Sequence, residues 1–182
     1  MTETIPRKTP SLAYRGLESM GMADLEQVLL RGTTPELEAL VGWQFRGCNT
    51  PNWARLAGIK KFIKGFYAEG EKVYGYNCPV KQDGLSSPWR AKPSDAAPKR
   101  FGFYTVERVD PTARDNAYLH AVLLDYGKGD NPLLDPSRGL RDYLVQVSPD
   151  NPDLYLGKAY FALGQGRIAT SFFVLERDRP AR

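Results

Sequence analysis

The sequence predicts an α+β domain, mainly β: an antiparallel β-barrel with an N-terminal helical segment and a lid helix. Three observations lead there. Aromatics make up 12% of the 182 residues, with Tyr 10 and Phe 8, which suits pleated, half-buried surfaces. From residue 72 onward the chain breaks into short apolar–polar segments, and Gly 17 and Pro 14 supply the turns between them. Several of those turns are short, which favours antiparallel neighbours. An antiparallel meander of six or seven strands closes into a barrel or folds into a sandwich. The length fits one domain with a sizeable core.

Residues 1–20, with Pro6 and Pro10, read as a flexible N-terminal arm, and 21–182 as a single β-barrel domain. In "MADLEQVLLRG", Leu25, Val28 and Leu29 fall at i, i+3 and i+4, and Gly32 closes the run, so a short amphipathic helix is expected. "TTPELEALVGW" restarts it: Thr34 can cap, Pro35 suits the first turn, and Glu36 and Glu38 suit the positive end. After Gly42 the pattern changes. Trp43, Phe45 and Gly47 share one parity and Gln44, Arg46 and Cys48 the other, which argues a first strand ending at "NTPN".

"NWARLAGIKKFIKGFYAEG" reads as the lid helix to about Lys64. Leu56, Ile59, Phe62, Ile63 and Phe66 form one broad face at helical spacing, with Lys60, Lys61 and Lys64 largely on another. Its end could instead form a hairpin, "KGFYAEGEKVYGYN". The strands that follow are "KVYGYNCPV", "KRFGFYTVERV", "AYLHAVLLDYG", "LRDYLVQVS", "LYLGKAYFALG" and "RIATSFFVLER", with turns at "KGDNP", "SPDNPD" and "GQGR". The polar stretch "KQDGLSSPWRAKPSDAAPK", with three prolines, is a long loop of the kind that is mobile or functional.

Composition narrows function. A formal charge of +4 without a strong basic cluster does not point to nucleic acid. Glycine-rich phosphate loops are missing, and "GKGDN" has no helix after it. No stretch has the apolar length of a membrane span or a signal peptide. Cys48 and Cys78 stand far apart, and His120 is the only histidine, so neither a disulfide framework, a metal site nor a cofactor is expected, and a cytoplasmic location is. The lysines Lys60, Lys61 and Lys64 offer a possible weak contact with an anionic membrane surface. Glu107 and Glu176, each followed by arginine, read as solvated strand rims.

Gly42 and Trp43 on a first strand, a helix after it, and a chain of antiparallel strands ending in "SFFVLER" resemble the lipocalin-like (calycin) β-barrel family. The string Gly42-Trp43-Gln44-Phe45-Arg46-Gly47 is distantly similar to small bacterial proteins named for a Gly-x-Trp-x-Gly motif. The resemblance implies an interior cavity and non-covalent binding of an apolar or amphipathic small molecule. Arg141 and Tyr143, two apart on one strand, form a pair of the kind that barrels binding fatty acids use for a carboxylate. This holds if their face points inward. The opposite face, with Leu140, Asp142 and Leu144, is the alternative, and it leaves Arg141 outside.

The expected lining is therefore Trp43, Phe45, Phe103, Tyr143 and Phe173, with Arg141 and His120 as polar anchors. Trp43 could equally plug the barrel end, and His120 could be a partly buried histidine bonded to a neighbour. The rival expectation is a cofactor-free isomerase, cyclase or hydrolase in the same cavity, with His120 and a carboxylate as acid and base. A Ser/His/Asp triad has no local signature, although Ser171 could join one across strands.

Overall fold

The computed structural model describes residues 9–50, 58–164 and 166–181. Eight strands follow three helices: α1 (Leu12–Ser19), α2 (Met22–Arg31), α3 (Leu37–Leu40), β1 (Trp43–Asn49), β2 (Lys61–Glu69), β3 (Lys72–Pro79), β4 (Phe101–Arg108), β5 (Val122–Asp125), β6 (Leu140–Ser148), β7 (Asn151–Leu163) and β8 (Gly166–Pro180). Each strand pairs antiparallel with the next, and β1 pairs with β8, so the sheet is a closed up-and-down barrel with no free edge. The helical segment and the barrel stand as predicted.

Side chains alternate across the wall and form two separate cores. The inner one includes Phe45, Phe66, Tyr104, Val122, Leu124, Leu144, Tyr155 and Leu175, closed at one end by Leu40 of α3. Phe45 meets Phe66 and Tyr155 edge-on, at ring centroids of 5.4 Å in both cases, so the half of the barrel near α3 is solid. The second core lies outside. There Tyr14 and Leu17 of α1, Leu25 and Leu29 of α2, and Trp89 of the 81–99 segment cover Cys48, Ile63, Tyr76, Tyr143, Val145, Phe172 and Val174.

Both faces of much of the wall are thus dry, and small residues let the inner rings fit. A Cβ on Gly157 would stand 2.0 Å from the Phe173 ring, and one on Gly75 2.2 Å from Tyr104.

Three expectations change. Residues 12–19, read as part of a flexible arm, form α1. Ser11 caps it through the Tyr14 amide at 3.1 Å, and Tyr14 is fully buried. The lid helix does not extend to Lys64: residues 61–69 are β2, and residues 51–57 lie outside the described residues. The alternative hairpin is present instead, turning at Gly70 with φ +60 between β2 and β3. Thr34 does not cap α3. Its hydroxyl donates to the His120 carbonyl at 2.9 Å, and the helix is a single turn.

The long polar segment 81–99 is strapped to the outside of the barrel. Trp89 donates its indole N–H to the Gly47 carbonyl at 2.9 Å. Lys61 Nζ donates to Asp83 Oδ1 at 2.9 Å, to the Gly84 carbonyl at 2.8 Å and to the Ser87 carbonyl at 3.0 Å, and lies 4.3 Å from the Trp89 ring centroid. The lysine cluster is accordingly no membrane patch: Lys61 and Lys64 are buried, and Lys60 pairs with Glu18 at 3.2 Å. Among the described residues no helix is long and apolar enough to cross a membrane.

Candidate functional site

The barrel half away from α3 is hollow. A cavity of ≈ 380 Å³ opens at the mouth, where β1 ends, β2 begins and the β3–β4 and β5–β6 connections gather. That volume is at the small end of the ~300–1,000 Å³ of typical ligand pockets. The Phe62, Phe101, Leu140, Ala159 and Phe173 side chains make its apolar wall. Two crevices beneath the 81–99 strap are smaller, at ≈ 30 and ≈ 230 Å³, and do not reach the interior.

Four polar side chains meet in the hollow half. Lys64 of β2 projects inward between Phe62 and Phe66, and Asp142 of β6 projects inward between Leu140 and Leu144. Lys64 Nζ donates to Asp142 Oδ2 at 3.1 Å, to Asn77 Oδ1 at 3.1 Å and to the Tyr126 hydroxyl at 2.5 Å. The Tyr126 hydroxyl donates in turn to Asp142 Oδ2 at 3.1 Å, and Asn77 Nδ2 donates to the Gly102 carbonyl at 2.9 Å. Rings surround the ammonium: the Tyr104, Tyr126, Phe173 and Phe62 centroids lie 4.6, 5.1, 5.2 and 5.8 Å from Nζ.

Lys64 is 2% exposed and Asp142 3%, so this is a dry ion pair. Burial pushes the Lys64 amine below its ordinary pKa, and the Asp142 carboxylate partly restores it. Burial also raises the Tyr126 phenol well above its usual value, with the Asp142 charge adding to the effect, so Tyr126 stays a donor. Both bonds to Asp142 land on Oδ2, leaving Oδ1 without a donor among the described residues. Ser137 lines the same cavity with a buried hydroxyl that has no partner among the described residues.

The residues expected to line the cavity divide. Phe45 and Phe173 do point into the barrel, Phe173 into the cavity and Phe45 into the solid half. Trp43 sits at the closed end, half-buried against the inner core under the Arg177 guanidinium, 4.6 Å from its ring centroid. Phe103 and Tyr143 face the outer core. Arg141 also faces outward, with Nη1 3.1 Å from Asp125 Oδ1 and Nε 3.3 Å from Asp115 Oδ2. His120 is in the turn before β5, where its Nε2 bonds the Leu29 carbonyl at 2.9 Å and ties down the end of α2. The Arg141–Tyr143 clamp and the His120 anchor are therefore not in the cavity, and Lys64, Asn77, Tyr126 and Asp142 occupy the inward positions.

The polar cluster decides what kind of site this is, and sequence comparison adds no other guide. No protein-family model matches the chain, and no curated protein matches it in sequence. Among the described residues no three metal-ligating side chains gather.

Proposed function

We propose that this is a lipocalin-like barrel that binds an apolar or amphipathic small molecule, non-covalently, in the mouth cavity. Its apolar body would lie against Phe62, Phe101, Leu140 and Phe173, and its polar end against Asp142 Oδ1 and Tyr126. The observation that carries this reading is the buried Lys64–Asp142 pair at the inner end of a mainly apolar cavity. An ion pair in such a place contributes little to stability over apolar residues of the same size. It supplies orientation to a guest instead.

The pair also bears on the head group. Lys64 is the only cation among the described lining residues, and Asp142 already neutralises it. A neutral donor such as a hydroxyl fits that arrangement better than the carboxylate for which Arg141 was the expected partner. A cytoplasmic location accords with Cys48 and Cys78, both free and buried.

A fluorescence titration with 1-aminoanthracene, a neutral amphipathic probe, tests the reading. Saturable binding displaced by nonan-1-ol, and more weakly by nonanoate, is expected. Binding that nonan-1-ol does not displace would refute the site.

A further inference from the structure

We infer that Lys64 captures an apolar aldehyde or ketone in the mouth cavity as a protonated imine, with Asp142 as its counter-ion. This rests on the cavity reading above and goes beyond non-covalent binding. The geometry assembles what the reaction needs. A primary amine, 2% exposed, stands at the inner end of a cavity wide enough for a guest. A carboxylate at 3.1 Å can take its proton, and a phenol at 2.5 Å can hand a proton to the carbonyl oxygen. Desolvation lowers the cost of deprotonating this amine relative to an exposed lysine.

The step balances. The Lys64 ammonium passes one proton to Asp142, and the free amine attacks the carbonyl carbon. A C–N bond forms, and the carbonyl electron pair moves to oxygen. The nitrogen's second proton reaches that oxygen through the Tyr126 hydroxyl, giving a carbinolamine. Asp142 then protonates the carbinolamine hydroxyl, water leaves, and the nitrogen lone pair closes the C=N bond. One positive charge enters as ammonium and remains as iminium. The rings of Phe62, Tyr104, Tyr126 and Phe173 and the Asp142 carboxylate, which hold the first, are placed to hold the second.

Among the described lysines, Lys158 also has a carboxylate and a phenol, Glu26 at 2.6 Å and Tyr118 at 2.7 Å, but it stands on the outer face of β7 and does not line the cavity. Lys61 is equally buried, but it is spent on the carbonyls of the strap, outside the barrel. Lys72, Lys81 and Lys99 are exposed.

The test uses the intact wild-type protein with nonanal as probe, sodium cyanoborohydride to fix any imine, and peptide mass mapping. The expected result is the mass gain of one nonyl group on the peptide carrying Lys64, ahead of Lys72, Lys81 and Lys99, with labelling suppressed by excess nonan-1-ol. Displacement of N-phenyl-1-naphthylamine, a neutral probe without a primary amine, by nonanal is followed in parallel without the reductant. If nonanal displaces the probe but labels only exposed lysines, the imine is refuted while the cavity stands. If nonanal neither displaces the probe nor labels Lys64, the cavity reading fails and takes the imine with it. Lys64→Arg keeps the charge and is expected to lose the label, whereas a label of unchanged size in that variant would overturn the assignment.

Discussion

At the residue scale, Lys64 and Asp142 are held by mutual need. Each is nearly sealed from water, so removing one leaves the other as an unpaired buried charge. Lys64→Met is expected to destabilise the fold by ~3–5 kcal/mol, and Lys64→Met/Asp142→Leu to recover most of that loss, measured by urea unfolding. A double variant no more stable than the single one would show that the pair itself holds the barrel together. The buried thiols give a second expectation. Burial pushes Cys48 up to about 12 and Cys78 up to about 11. In the unfolded chain a thiol ionises near its ordinary value of ~8.5. Above that pH the folded state retains protons that the unfolded state has lost, so the contribution of Cys48 to stability is complete below ~8.5 and fades as pH rises towards 12. The slope of unfolding free energy against pH between 9 and 11 should flatten in Cys48→Val. Both native thiols should resist a disulfide reagent at pH 8 and react once guanidinium unfolds the chain.

At the element scale, the 81–99 strap is anchored by side chains from the barrel: Arg179 of β8 donates to Asp95 Oδ1 at 3.2 Å and to the Trp89 carbonyl, and Lys61 of β2 holds the turn before Trp89. Lys61 fills the concave side of the Asp83–Pro88 turn with three short hydrogen bonds and lies over Trp89. Lys61→Met should loosen the strap while the barrel persists. The expected signs are a red-shifted tryptophan emission, faster tryptic cleavage at Lys81 to Lys99, and an unchanged far-ultraviolet spectrum. Cleavage as slow as in the wild type would remove Lys61 from that role.

The strands show what was legible in the chain and what was not. β6 spans Leu140–Ser148, the segment read from its alternation, and the β7–β8 hairpin turns within "GQGR". β2 escaped because both its faces are buried. Lys64 points in and Lys61 points out, so polarity does not alternate, and the lysine spacing mimics a helix face. The useful signal was the run Phe62, Lys64, Phe66 at period 2, a charge between two aromatics on one side of a strand.

At the scale of the whole molecule, the outer core explains why the site was misplaced. Helices α1 and α2 and the strap make much of the outside of the wall as apolar as the inside. Tyr143 and Phe103 therefore looked like lining, and Arg141 like an anchor, although all three face away from the hollow. Asp142 was visible as the residue on the opposite parity from Arg141. Its partner Lys64 is 78 residues away in sequence, and only barrel closure brings the two within 3.1 Å. The arrangement leaves half the barrel solid and half hollow, with the polar cluster in the hollow half. Filling that half should spare the fold and remove the guest. Ala159 faces the cavity from β7, beside Phe173, and a ring placed there would occupy the space.

The most direct measurement is native mass spectrometry of wild-type and Ala159→Phe proteins purified in parallel from the protein's own host, with denaturing extraction of whatever accompanies them. The cavity account predicts a small amphipathic molecule at near-stoichiometric ratio on the wild type and its loss from a still-folded Ala159→Phe. The same molecule held equally by both proteins would contradict it.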